Sequence, residues 1–366
     1  MTVRAPSRHA SGGFAIIVVL IVIFTLAILA GSFALAMKVE SRLAANANSD
    51  AELEWLGRSG VELARYVLGQ SMGQPYASLN QIWAGGPGSG NETNGPLMDI
   101  SLTDVQLGEG RFSVRIEDLE RKLNINLNLP EQEKKQVLAR ALTTIVGVDS
   151  GDSATIEDSI LDWLDPDDAS HLSGTESDFY LTMPRPYFAK NGPIDDLAEL
   201  LLVRGVTPEI YWGPSAPHHQ VQLLKPSAGA IESDVLPMYP VGLVDLFTAL
   251  SSGRININTA SANVLRLLPG VDENVAGNII RARAGPDGVE GTEDDTPFVN
   301  LAGLNPAMVP GIIPELAARY NMLCGVTSGT FEVLVDARLG RHRRTYAAIV
   351  RRNRPDDVAV LQFGWK

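Results

Sequence analysis

A chain of 366 residues is too long for one small core and long enough for an elaborated domain, or two, beside its N-terminal segment. A formal charge of -13 argues against binding a phosphate backbone, which depends on Lys and Arg displacing counterions. The one cysteine, Cys324, excludes an internal disulfide, and its apolar setting, Met322-Leu323-Cys324-Gly325, reads as a buried structural thiol rather than a nucleophile.

No residue from Phe14 to Met37 is charged, and at about 1.5 Å per residue a helix of that length crosses a hydrocarbon core of roughly 30 Å. Arg4 and Arg8 precede this run, while Glu40 offsets Lys38 and Arg42 after it, so residues 1–13 are expected on the cytoplasmic side. A secretory signal peptide needs a shorter apolar stretch followed by small residues, so the segment is expected to remain as an anchor. Gly12-Gly13-Phe14, placed before the run, separates it from a plain signal anchor. This tripeptide resembles the site where prepilin peptidases cut pilins and pseudopilins. The resemblance implies cleavage between Gly13 and Phe14 and N-methylation of Phe14. In that family the fifth mature residue is typically Glu, whose carboxylate is thought to meet a neighbouring subunit's terminal amine. Here it is Val18. An unpaired charge in an apolar helix bundle is costly, so a subunit with an amine and no carboxylate satisfies a neighbour on one side only. That is the chemistry of a chain end.

Leu53, Leu56, Gly60, Ala64 and Val67 recur at spacings of three to four with no proline before Pro75, which predicts one long helix continuing past the membrane. Its stripe is expected to pack on the protein's own sheet. Gly85 to Gly95 is a loop by composition. Period-two alternation predicts strands at Arg111 to Ile116 and Thr330 to Ala337, with further candidates at Tyr346 to Val350 and Val358 to Phe363. The region between reads as mostly helical. The expected fold is therefore α+β, a long N-terminal helix with a small antiparallel sheet and a large inserted all-α domain.

The insert carries an internal echo. Lys122-Leu123-Asn124-Ile125-Asn126 recurs as Arg254-Ile255-Asn256-Ile257-Asn258, each followed by a helical stretch, an acidic loop and a short Leu-rich helix, beginning at Ile194 and at Val299. The second copy, Asn256 to Arg283, resembles a helix-hairpin-helix (SAM-like) unit. In nucleic-acid-binding members of that class the hairpin is usually Gly-x-Gly, with backbone N–H groups facing a phosphate. Here Gly270-Val271 is followed by Asp272 and Glu273, two carboxylates where a phosphate would dock, and Asp272 suits a helix N-cap.

In order along the chain, the Gly-Phe leader, Val18, the Asn124-Ile125-Asn126 turn, the acidic loop Asp162 to Asp168, Tyr180, Asn191-Gly192-Pro193, Glu199 to Gly205, the Asn256 to Ala260 motif and a basic C-terminal strand ending in Trp365 resemble the protein K family of type II secretion, minor pseudopilins placed at the pseudopilus tip. The resemblance implies a subunit that initiates pseudopilus assembly and supports export across the outer membrane, without enzymatic activity. Its partners would be the minor pseudopilins I, J and H, the prepilin peptidase and the bacterial inner membrane, with no nucleic acid. The organisation expected is a leader at 1–13, a transmembrane helix at 14–37, pilin-like helix and first strands at 38–120, the insert with two related units at 121–325, and C-terminal strands at 326–366.

Asp165, Asp167, Glu176 and Asp178 lie in one short loop, and their oxygens suit a hard cation of flexible geometry, calcium rather than magnesium. The family resemblance also implies calcium in this helical region. A second acidic loop holds Asp287, Glu293, Asp294 and Asp295 with Gly288 and Gly291, without EF-hand spacing. Solvated carboxylates capping helices remain the alternative for both loops. His9, His171, His218, His219 and His342 show no metal-ligand spacing, and no catalytic constellation is present in the sequence. The alternative function is a membrane-anchored DNA-uptake receptor using the hairpin units.

Overall fold

The computed structural model describes residues 12–88, 92, 94–126, 129–215 and 239–366. The leader through residue 11, part of the Gly-rich loop and the His218-His219 pair lie outside the described residues. Helix α1 runs unbroken over Gly12–Gln70, so anchor and stripe are one element, as the lack of proline predicts. Its portion Ile16–Leu43 is long and apolar enough to cross a membrane and buries none of its apolar window against the chain.

The strands in chain order are β1 (Val105–Leu107), β2 (Gly110–Asp118), β3 (Leu123–Asn124), β4 (Phe247–Thr248), β5 (Ile255–Asn256), β6 (Cys324–Gly325), β7 (Thr330–Leu339), β8 (His342–Arg354) and β9 (Asp357–Trp365). Five of them form an antiparallel sheet in the order β1-β2-β7-β8-β9. The alternation read from sequence holds: Phe112, Val114, Ile116, Phe331, Val333 and Val335 face inward and are buried. Leu53, Leu56, Ala64 and Val67 of α1 join them in one core. Helix and sheet approach closely because α1 presents glycines at the contact. A Cβ at Gly57 would overlap the Tyr346 ring, and one at Gly60 would overlap the Val335 methyls.

The insert has its own core, from Leu123 to Cys324. Its helices are α2 (Glu131–Ala139), α3 (Ser150–Leu164), α4 (Ser177–Tyr180), α5 (Pro208–Trp212), α6 (Leu243–Leu246), α7 (Ala262–Leu265), α8 (Glu273–Arg283) and α9 (Ala317–Leu323). The expectation of an all-α insert is corrected in one respect. Two short parallel pairs, β3 with β4 and β5 with β6, lie within it, because each Asn-rich turn is entered through extended backbone whose hydrogen bonds are met by a distant segment.

These pairs make the two units alike in detail. The Asn124 side chain accepts from Asn126 N at 2.9 Å, and Asn256 accepts from Asn258 N at 3.0 Å. The second Asn of each turn then clamps a remote backbone. Asn126 donates to Ile194 O and accepts from Ile194 N (2.8 and 2.7 Å); Asn258 does the same with Phe298 O and N (2.9 and 2.8 Å). Ile194 and Phe298 stand at corresponding places, each four residues before a helical turn residue whose N–H is capped: Asp196 caps Ala198, and Asn300 caps Ala302. A one-residue slip would orphan the clamping amide, half-buried at Asn126 and buried at Asn258, together with two backbone groups in either unit.

Sheet and insert meet at a buried polar junction. Asp118, the last residue of β2, accepts from Glu120 N (2.8 Å), Thr259 Oγ1 (2.5 Å), Ser328 Oγ (2.6 Å) and Asn256 Nδ2 (3.3 Å). The Asn256 amide also donates to Ala77 O at 3.0 Å, tying in the segment after α1. Glu120 is fully buried and takes Ser252 N and Thr330 N at 3.1 and 3.0 Å. Burial raises the pKa of both carboxyls, and the Asp118 charge adds to burial in lifting Glu120 to about 7. With four donors Asp118 is the better-stabilised anion, and Glu120 is the member that holds a proton toward neutrality. Because the folded pKa of Glu120 exceeds its unfolded one, its contribution to stability is fully present below about pH 4.5 and is lost as pH rises through 7. The expected outcome is a melting temperature that falls between pH 5 and 8, with an upper bound of about 3 kcal/mol for this group. Glu120→Gln, which keeps a neutral amide there, should flatten that slope in calorimetric scans across the same pH range; an unchanged slope would refute the assignment.

Candidate metal centre

Helix α3 ends in acid. Asp158 and Asp162 lie one turn apart on its buried side, and Asp165 is its C-cap. Carboxylates at the negative end of a helix dipole are electrostatically misplaced unless positive charge stands beside them. Part of that charge comes from the chain. Asp158 is ion-paired with Lys135 and accepts from Ser173 N at 3.0 Å, and these bonds hold its pKa low against the cost of its burial. Asp162 accepts from His171 N at 3.0 Å and is bonded to the His171 ring and to Thr175 N. Burial opposes protonation of His171, but its bonds to Asp162 and Glu131, the latter 3.2 Å, prevail and raise its pKa.

The remaining acceptors have no such partner. Both oxygens of Glu176, Oδ1 of Asp165 and Oδ1 of Asn191 are buried and lack a donor among the described residues. Glu176 is 5% exposed, and burial with the charges of Asp162, Asp165, Asp168 and Asp167 pushes its pKa up to about 7. Burial, then Asp167 and Asp162, raises Asp165 as well. Asn191, in the left-handed region at φ 49°, donates to Asp167 O and Asp168 Oδ1 at 2.9 and 2.8 Å. Oxygens from Asp162 and Asp165 and a nitrogen of His171 all lie within 4.8 Å of one another. Orphaned groups that are all acceptors, amid like charges, are what a hard cation requires.

Of the four residues that sequence assigns to this loop, three belong to this neighbourhood: Asp165, Glu176 and Asp167, whose carboxylate is exposed and accepts from Ala169 N at 2.9 Å. Asp178 does not join them; it is exposed in the first turn of α4, two residues from the buried Glu176. Sequence reading missed Asp162, His171 and Asn191 as contributors. The signal for Asp162 was there, in the spacing of Asp158, Asp162 and Asp165 along one helix face.

The second acidic loop is built differently. Asp287 accepts from Val289 N (2.7 Å), Asp294 from Asp287 N (2.9 Å) and Thr292 Oγ1 (2.7 Å), and Asp295 from Gly291 N (2.8 Å), while Glu293 is exposed. Gly288 and Gly291, at φ 70° and 85°, make the turns that bring these donors round. The loop is pinned by Glu290, ion-paired to the buried Arg283, whose guanidinium also donates to Ile257 O and, at 2.8 Å, Ala260 O.

A long apolar helix laid on an antiparallel sheet, with a second core inserted between the strands, defines a pilin-type subunit with an enlarged head. The family description "Type II secretion system (T2SS), protein K" matches residues 121–212, the first unit of the insert. Type II secretion system protein K of Pseudomonas aeruginosa is 23% identical over 97% of this chain and 92% of its own length, and that of Aeromonas hydrophila is 28% identical over 56% and 62%. A chain of the crystal structure of the GspK-GspI-GspJ complex from enterotoxigenic Escherichia coli shares the fold with a TM-score of 0.61 at 19% identity, covering 87% of this chain and 97% of that one. Residues 121–212 thus carry the protein K domain of type II secretion, and the relatives that match beyond it support a minor pseudopilin of that system.

Proposed function

We propose that the leader is removed between Gly13 and Phe14, that Phe14 is N-methylated, and that α1 anchors the chain in the bacterial inner membrane with the folded part in the periplasm. From there it takes the tip of the pseudopilus, initiates assembly with the minor pseudopilins I, J and H, and supports export across the outer membrane. Val18 carries this reading. It stands on the apolar stretch of α1 where other subunits place a carboxylate for a neighbour's amine, so nothing is required to stack beyond it. The insert supports the same position, since a head with a second core is hard to repeat along a tight helical filament. The neighbour solved as a GspK-GspI-GspJ complex supports I and J as partners. DNA uptake through the α7–α8 hairpin is disfavoured, because the Asp272 carboxylate already takes Val275 N at 2.8 Å where a phosphate would sit.

Gly13→Asp should leave the leader uncut on immunoblots and abolish secretion, whereas wild-type Val18 should support assembly as well as Val18→Glu. Normal processing of Gly13→Asp, or an assembly that needs Glu at 18, would contradict the reading.

We further propose that the first acidic loop binds calcium through Asp165, Glu176 and Asp162, with Asn191 and Asp167 at its margin. His171 is no usual calcium donor and would serve by orienting Asp162. The second loop, Asp287, Glu293, Asp294 and Asp295, would have to release its own backbone donors to take an ion, so the proposal rests on the first. At saturating ion, binding of this kind contributes on the order of 3 kcal/mol. EGTA in excess magnesium should therefore lower the melting temperature by several degrees and expose the insert to protease, with calcium restoring both. Glu176→Gln should remove most of the calcium-dependent part. No effect of EGTA would end the proposal.

A further inference from the structure

The sheet has one end turned toward the anchor. Gly57 meets Tyr346 and Gly69 meets the Pro355 carbonyl, so β8 starts near the membrane and ends away from it. Arg344 at the near end is paired with Asp50 of α1 at 2.8 Å. Asp50 stands thirteen residues past Met37, the last residue of the uncharged run, which is about 20 Å along a helix. The β7–β8 turn, Gly340 and Arg341, lies three residues beyond Arg344 toward the anchor, up to about 10 Å along the strand. That brings the turn back to about 10 Å from the end of the uncharged run, within reach of the headgroup layer.

This end of the sheet is basic in a chain of net charge -13. No acidic residue occurs from Arg338 to Arg344, the stretch around the near turn, while four arginines do. Strand register places Arg111, Arg338 and Arg343 side by side across β2, β7 and β8, and like charges directly opposite one another are unfavourable. Arg111 is offset by Asp104 and Arg343 by Asp336 at 2.5 Å, but Arg338 and Arg341 are exposed and carry no ion pair among the described residues. The acid nearest Arg338 is Asp336, two residues back on β7, which is already taken up by Arg343. Beside the row, Trp365 is 77% exposed and lines a cavity with Arg343, Arg344 and Lys366, the mixture of aromatic and base that favours a bilayer interface.

We propose that this rim docks on the anionic headgroups of the bilayer that α1 crosses, holding the sheet down on the membrane through Arg338 and Arg341. The proposal rests on the membrane-anchor reading of α1. The test uses the full chain in vesicles of phosphatidylcholine alone and of phosphatidylcholine with phosphatidylglycerol, followed by hydrogen–deuterium exchange at low and high salt. Amides of the 339–342 turn should exchange several-fold more slowly in the anionic vesicles, with the difference shrinking in high salt. The 355–356 turn, at the far end of the sheet, should not change. Arg338→Gln with Arg341→Gln should erase the difference while strand amides of β7 and β8 stay protected, which shows that the variant is folded. Equal exchange in both lipids by a chain that resists alkaline carbonate would overturn the rim alone. Release of the chain by carbonate would overturn the anchor and the rim together.

Discussion

One buried carboxylate, Asp118, fixes how the two halves of this molecule are joined. A lone charge in a protein interior is tolerated only when its acceptor sites are filled, and Asp118 draws its four donors from separate parts of the chain: Glu120, Asn256, Thr259 and Ser328. Two of those donors belong to the second Asn-rich turn of the insert, one to the segment re-entering the sheet, and one follows β2 itself. Through the Asn256 amide the network also reaches Ala77, just past α1. Moving the insert relative to the sheet would strip donors from a charge that water cannot reach, so the large head is carried by the helix–sheet unit as a fixed attachment.

The same unit is used twice within that head, with opposite electrostatic solutions. In the second copy α8, the second helix after the Asn turn, ends in Arg283, a cation at the negative end of the dipole, which binds Ile257 O, Ala260 O and Glu290. In the first copy α3 ends in Asp162 and Asp165, and the loop adds Glu176. The second unit supplies its positive charge from its own sequence. The first supplies donors to Asp158 and Asp162 but leaves both Glu176 oxygens and Asp165 Oδ1 with none among the described residues, which is the physical case for reading it as a cation site.

Sequence patterns of short range were legible. Unbroken apolar residues marked the anchor, three-to-four spacing the stripe of α1, alternation the strands, and a repeated Asn-Ile-Asn the two units. The features that escaped are those whose partners are far away in sequence. Two-residue strands such as β3 and β5 carry no period, and they exist only because β4 and β6 arrive more than sixty residues later. Asp118 looks like any acid after a strand until Thr259 and Ser328 close on it. In the acidic loop, composition pointed to the right stretch but could not separate the buried Glu176 from the exposed Asp178, nor see that His171 turns back onto Asp162.

The central claim, that Asp118 makes insert and sheet one cooperative unit, is tested most directly by differential scanning calorimetry of the wild-type chain and Asp118→Ala in the same detergent. The wild type should unfold in one transition, and the variant in two, with the insert and the helix–sheet unit melting separately at lower temperature. A variant that still melts in a single transition near the wild-type temperature would contradict the account.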